Sequence, residues 1–182
     1  MLKQTKTVKE YITLQKRSIN NFDINDWNYI SINIPLSESF IDKYPHKINY
    51  DHISRFQKLS ESFIERYKSK LNWMYISVFQ KLSELFIEKF QDKLFWTLIS
   101  SHQILSMPFI KKHQKKVNML CISQKQIITE ELMLQYKDSV GWKHLLKNKQ
   151  ISHKTLVLLI GFKFEDEEIK QLYLQQLKFY NK

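Results

Sequence analysis

Glycine and proline are nearly missing from this chain of 182 residues, which holds two of the first and three of the second. Sandwiches and barrels turn tightly many times, and those turns draw on Gly and Pro. Their scarcity argues against an all-β fold and for helices. A single cysteine, Cys121, excludes an internal disulfide and fits a reducing compartment. No apolar run approaches the roughly 20 residues that a membrane span needs. The longest, Leu156 to Ile160, has the size of a core patch. The opening residues, MLKQTKTVKEYITLQKRS, lack the long apolar stretch of a secretory signal. These absences lead to the expectation of a cytoplasmic protein that does not enter a membrane.

Aromatic residues and positive charge are abundant instead. The chain has 12 Phe, 9 Tyr and 4 Trp, and a formal net charge of +11. Such a charge fits a polyanionic partner such as nucleic acid or a membrane surface. It equally fits an AT-rich coding bias, because Ile, Lys, Asn, Phe and Tyr are favoured while Ala and Gly are scarce.

A constant offset of 23 residues organises the sequence. Leu36, Leu59, Leu82, Leu105, Ile128 and Ile151 fall in one column, followed by Ser37, Ser60, Ser83, Ser106, Thr129 and Ser152. Phe40, Phe63, Phe86, Phe109 and Leu132 form a third column, and Ile41, Ile64, Ile87, Ile110 and Met133 a fourth. Later in the unit come Trp27, Tyr50, Trp73, Trp96, Met119 and Trp142, then Ile30, Ile53, Ile76, Ile99, Ile122 and Leu145. A period of this size marks an array of supersecondary units, each too small to fold alone. The fold expected is all-α: a short-repeat α/α solenoid of about five to six two-helix units with helical caps. Residues 1–23 read as an N-terminal capping helix (Val8 to Ser18), 24–152 as the repeat array and 153–182 as the C-terminal capping region.

One unit, Leu59 to Lys81, shows the reasons. Ser60 can cap a helix with its hydroxyl, and Glu61 suits the positive end of the helix dipole. Phe63, Ile64, Tyr67 and Leu71 give one apolar face, so the first helix is expected from Glu61 to Lys70, about 15 Å long. Asn72 offers a second cap, as do Asp26, Asn49 and Asn118 in that column, whereas Phe95 and Gly141 break it. Trp73 and Ile76, with Phe79 or Val78, form the inward stripe of a shorter second helix. Pro108 falls in a first helical turn, where its missing N–H costs little, and Pro45 is expected to shorten the first long helix. Ser31, Ser54, Ser77, Ser100 and Ser123 follow the core Ile and let helices approach; Gln57, Gln80, Gln103 and Gln126 satisfy backbone groups at the corners. Glu165 to Glu168 open a last helix that ends near Lys178 and Lys182.

The unit L-S-x-x-F-I-x-K-[FY]-x-x-K-[IL]-x-W-x-x-I-S-x-x-Q resembles short helical-hairpin repeats in proteins of large DNA viruses and bacteriophages. The resemblance covers residues 24–152 and is clearest where RFQKLSESFIERYKSKLNW and VFQKLSELFIEKFQDKLFW superimpose. It implies an α-solenoid. By analogy it also implies an anti-defence protein in the host cytoplasm, such as an anti-CRISPR inhibitor that occupies an effector.

No catalytic motif is present, and no cofactor or metal is expected. Two isolated glycines cannot build a phosphate loop, and His46, His52, His102, His113, His144 and His153 lack metal-ligand spacing. Charge columns are the functional lead. Lys43, Arg66, Lys89 and Lys112 line up across repeats, as do Lys47, Lys70, Lys93 and Lys116, with Lys58 and Lys81 as a shorter third line. Such stripes can follow a phosphate backbone. Asp42, Glu65 and Glu88 adjoin the first stripe and oppose that use. Two readings stand. In one, the array binds a protein or ribonucleoprotein partner through variable exposed positions such as Met74 and Tyr75. In the other, it binds RNA or DNA through the Lys/Arg stripes.

Overall fold

The computed structural model describes residues 7–125, 142–147, 153–157 and 166–180, and these are helical with no strand among them. Column members Gln126, Ile128, Thr129, Leu132, Met133, Gly141, Ile151 and Ser152, with Glu165 and Lys182, lie outside the described residues. The elements are α1 (Val8–Gln15), a 3-10 turn (Ile19–Asn21), α2 (Ile24–Asn33), α3 (Glu38–Lys43), α4 (Tyr50–Phe56), α5 (Glu61–Arg66), α6 (Trp73–Phe79) and α7 (Glu84–Lys89). There follow α8 (Trp96–His102), α9 (Met107–Lys112), α10 (Met119–Lys125), α11 (Trp142–Lys147), α12 (His153–Val157) and α13 (Glu167–Tyr180). The chain divides into two compact units, Met1–Leu94 and Phe95–Lys182.

Helix starts follow the 23-residue register: Glu38, Glu61, Glu84 and Met107 for one set, Tyr50, Trp73, Trp96 and Met119 for the other. Capping chemistry explains the first set. Ser37, Ser60, Ser83 and Ser106 each accept from the N–H three residues on, at 3.2, 3.2, 3.2 and 3.3 Å. Each such cap contributes about 1 kcal/mol. Pro108 sits within the first turn of α9, where no helical hydrogen bond is lost. Asn49, Asn72 and Asn118 cap the second set through their side-chain oxygens, whereas Phe95 makes no side-chain cap bond.

Helix lengths differ from the sequence expectation. α5 ends at Arg66, not Lys70, and α3, α7 and α9 are equally short at six residues. Pro45 therefore does not single out the first of them. After Arg66 the chain makes tight turns, with the N–H groups of Lys70 and Leu71 both donating to the Tyr67 carbonyl at 2.9 and 3.1 Å. Lys68, Ser69 and Lys70 are all exposed, so no apolar contact holds another helical turn against the core. The second helices, at seven residues, are slightly the longer ones.

In the first unit, α4 packs against α2 and α6. Ile30, Ile53 and Ile76 are wholly buried there, as are Ile41, Ile64, Ile87 and Phe63. Two glutamines tie consecutive hairpins together. Gln57 Nε2 donates to the Ser31 and Ile34 carbonyls at 2.7 and 3.0 Å, and its Oε1 accepts from the Leu36 N–H at 2.7 Å. Gln80 repeats the set one register on, with Ser54, Gln57 and Leu59 at 2.9, 2.8 and 3.0 Å. Each corner presents two carbonyls and one N–H that no helix satisfies, and the next hairpin's amide meets all three. The serine column does more than make room. Ser54 Oγ donates back to Tyr50 and accepts from the Asn72 N–H at 3.0 Å, joining α4 to the start of α6. Glu38 and Glu61 add exposed links to the Ser60 and Ser83 N–H groups.

In the second unit, α8 packs on α10, α10 on α11, and α13 on both α11 and α12. Ile99, Ile122, Leu145, Leu146 and Leu156 are fully buried, and Ser100 Oγ accepts from the Asn118 N–H at 2.9 Å. Asp166 caps α13 by accepting from Glu168 N–H, and Tyr173 faces inward at 7% exposure.

The N-terminal helix stops at Gln15, short of Ser18, because Lys16 adopts a left-handed φ of 51°. That turn delivers Arg17 to Asp26. Asp26 is not the cap of α2; Asp23 is, and Asp26 completes a capping box from the third helical position. Its carboxylate is 4% exposed and accepts from the Asp23 N–H, the Tyr11 hydroxyl at 2.8 Å and the Arg17 guanidinium at 2.7 Å. Burial alone would raise the Asp26 carboxyl, but these three donors together hold it below its ordinary value. The Tyr11 phenol is pushed up to about 12 by burial and by its bond to Asp26. A carboxyl with a lowered folded value stabilises fully above its ordinary pKa, and loses that contribution as pH falls through the lowered value. Urea unfolding at neutral pH is therefore expected to show Asp26→Asn about 2 kcal/mol less stable than the native chain. The gap should close steadily as pH is taken below the ordinary carboxylate range. A gap independent of pH would contradict the anchoring role.

Candidate functional site

All ten basic candidates are exposed, but their surroundings separate them. Two of the four residues in the first row are matched by acids of the preceding repeat. Arg66 pairs with Asp42 at 3.1 Å and Lys89 with Glu65 at 2.6 Å, each reaching back 24 residues. Tyr67 adds its hydroxyl to Asp42 at 2.7 Å, a bond that together with burial raises the phenol above its ordinary value. Lys43 lies over the Tyr44 ring at 5.4 Å. Lys112 occupies the last turn of α9 in the second unit, beside Lys111. Exposed pairs of this kind contribute roughly 0.2–1 kcal/mol and leave little positive field.

The second row sits on rings. Lys70 lies 5.2 Å from the centre of Tyr50 and 5.8 Å from that of Tyr67, and Lys93 lies 5.8 Å from that of Trp73. In the second unit Lys116 lies 5.6 Å from the centre of Trp96. Each of these indole or phenol rings also meets a ring 17 residues on: Tyr50 with Tyr67, Trp73 with Phe90, Trp96 with His113, at 5.6, 5.2 and 5.1 Å. The lysine thus closes a tilted ring pair from outside. Trp27 meets Tyr44 in the same way at 5.1 Å, while Lys47 is exposed with no ring or ion-pair partner among the described residues. Lys58 and Lys81 follow the ends of α4 and α6, also exposed and without such partners.

A cluster that the charge columns did not reveal lies on the outer side of α4 and α6. Of the two alternatives for the inward stripe, Val78 is half-buried and Phe79 is 48% exposed, and Phe56 one register before Phe79 is 44% exposed. Arg55 lies over Phe56, Phe79 and Tyr75 at 5.0, 5.4 and 5.6 Å. Ser77 and Gln80 take the inward places instead: Ser77 Oγ donates to the Trp73 carbonyl at 2.8 Å, and Gln80 bonds the preceding corner. The available signal was the pair Phe56 and Phe79 standing beside Gln57 and Gln80. With Ser77 buried beside Ile76 and Gln80, the inward stripe is centred away from Phe79, which falls at its outer edge.

Among the described residues no group of three His, Cys, Asp or Glu converges as for a metal ion. Cys121 is a free thiol of intermediate exposure beside the buried Ile122. No described helix is long and apolar enough to cross a membrane. Comparison with protein-family models, with characterised proteins and with solved structures finds no match to this chain.

The ring-capping geometry predicts that Lys93→Gln lowers stability in urea unfolding by about 0.5–1 kcal/mol. Lys58→Gln, which removes no such contact, should stay within about 0.5 kcal/mol of the native chain. Equal losses in the two variants would contradict the assignment of Lys93 to its ring.

Proposed function

We propose that the chain is a short-repeat α-solenoid that holds a macromolecular partner without catalysis, on side chains its hairpins leave outside. The carrying observation is the division of labour within the repeat. Gln57, Gln80 and Ser54 spend their polar atoms on joining hairpins, while Arg55, Phe56, Met74 and Phe79 on the same helices stay exposed. Repeats of this type keep a constant inside and vary outside, which suits recognition. The partner favoured is a protein or a ribonucleoprotein, because Arg66 and Lys89 are already matched by acids. Likeness of the unit to phage and viral repeats makes a host defence effector the first partner class to test. A second reading, retention of RNA or DNA, is favoured by Lys47, Lys70 and Lys93, none of which has a carboxylate partner among the described residues.

Affinity purification with the tagged chain, followed by mass spectrometry and nucleic-acid extraction, tests both. The expected result is one protein recovered saturably, and retained after nuclease treatment and in raised salt. Recovery of nucleic acid alone, lost steeply with salt and lost in a Lys47/Lys70/Lys93→Gln variant, would transfer the function to the second reading. No saturable partner of either kind would overturn the proposal.

A further inference from the structure

Arg55 is the unusual cation of the first unit. Asp51 stands four residues before it on α4, the spacing at which an acid normally pairs with an arginine on a helix. Asp51 instead accepts from the Asn72 side chain at 2.9 Å, and Arg55 has no ion-pair partner among the described residues. The guanidinium lies over a platform of Phe56, Tyr75 and Phe79, with His52 abutting Phe56 and Tyr75 abutting Phe79 at 6.3 and 6.1 Å. A guanidinium held this way is pre-ordered, and its N–H fork remains unused. Exposed Lys58 and Lys81 add charge of the same sign at the ends of the two helices.

A cleft with both apolar and polar lining adjoins the platform. It measures about 380 Å³ and is lined by Ile32, Pro35, Leu36, Phe56 and Lys58 among others, so Phe56 forms one wall of the cleft and one part of the platform. Arginine and aromatic side chains grouped around apolar surface are the composition of interface anchors. Charge matching calls for an anion on Arg55. Because the guanidinium already covers ring faces that a nucleobase would stack on, a carboxylate with an apolar neighbour fits better than a nucleotide.

We infer that this platform anchors an acidic segment of a partner protein. An Asp or Glu carboxylate sits on Arg55, and a neighbouring apolar side chain enters the cleft beside Phe56. The inference rests on the partner-binding reading above and names where and by what chemistry it happens.

The test is selection of short random displayed peptides on the whole chain, followed by fluorescence anisotropy with the enriched peptides. Enriched sequences are expected to carry Asp or Glu next to Phe, Leu or Trp. Arg55→Glu should weaken them by roughly thirtyfold or more, as for an interface anchor. Arg55→Lys should recover only part of the loss, and Lys89→Gln should bind like the native chain. Unchanged thermal melting of the Arg55 variants, whose side chain is exposed, keeps the comparison valid. Failure to enrich peptides, enrichment without acidic residues, or equal binding to Arg55→Glu would overturn the inference. So would a single-stranded RNA oligonucleotide whose binding depends on Arg55. A partner protein that binds Arg55→Glu as tightly as the native chain defeats this placement and leaves the partner-binding reading intact.

Discussion

Corners between short helices expose backbone groups that helices cannot satisfy, and this chain meets them with a side-chain amide from the following hairpin. Gln57 and Gln80 each hold two carbonyls and one N–H of the preceding corner while almost completely buried. Helices of six and seven residues are far too short to persist alone. They persist because each corner is bonded from the next hairpin and because Ile53, Phe63, Ile64 and Ile76 are removed from water beside it. The same three corner bonds recur at an offset of 23 residues in Gln57 and Gln80.

Electrostatics follow from the same register. An acid one residue before a basic column meets the basic residue of the next hairpin, giving Asp42 with Arg66 and Glu65 with Lys89. In the next basic column Lys70 and Lys93 lie over aromatic rings instead, each closing a tilted ring pair, while Lys47 has no ring partner among the described residues. Positive charge therefore has a structural use on two of the three rows. Arg55, which has no ion-pair partner among the described residues, lies on partly exposed rings of α4 and α6. A net charge of +11 says nothing of this distribution, because it counts matched and unmatched cations alike.

Much of the local structure was legible in the chain itself. Ser60, Ser83, Asn49 and Asn72 cap helices as their types and spacing imply, and the glutamines occupy the corners. Helix length was less legible, since Tyr67 and Leu71 continue an apolar pattern whose backbone has already turned. Asp26 looked like a cap, yet its real partners, Tyr11 and Arg17, come from a segment that shares no column with the repeats. Arg55 escaped notice because its significance depends on Phe79, a residue 24 positions away, and on Asp51 being engaged by Asn72. Such many-body arrangements are not written in any single column.

Urea unfolding of Gln80→Ala tests the central claim most directly. Removing an amide that serves three buried backbone groups should lower stability by about 3 kcal/mol. The denaturant slope should stay unchanged, as for a fold that loses strength but not extent. A loss below about 0.5 kcal/mol, the range of an ordinary surface change, would show that the corners stand without the amide.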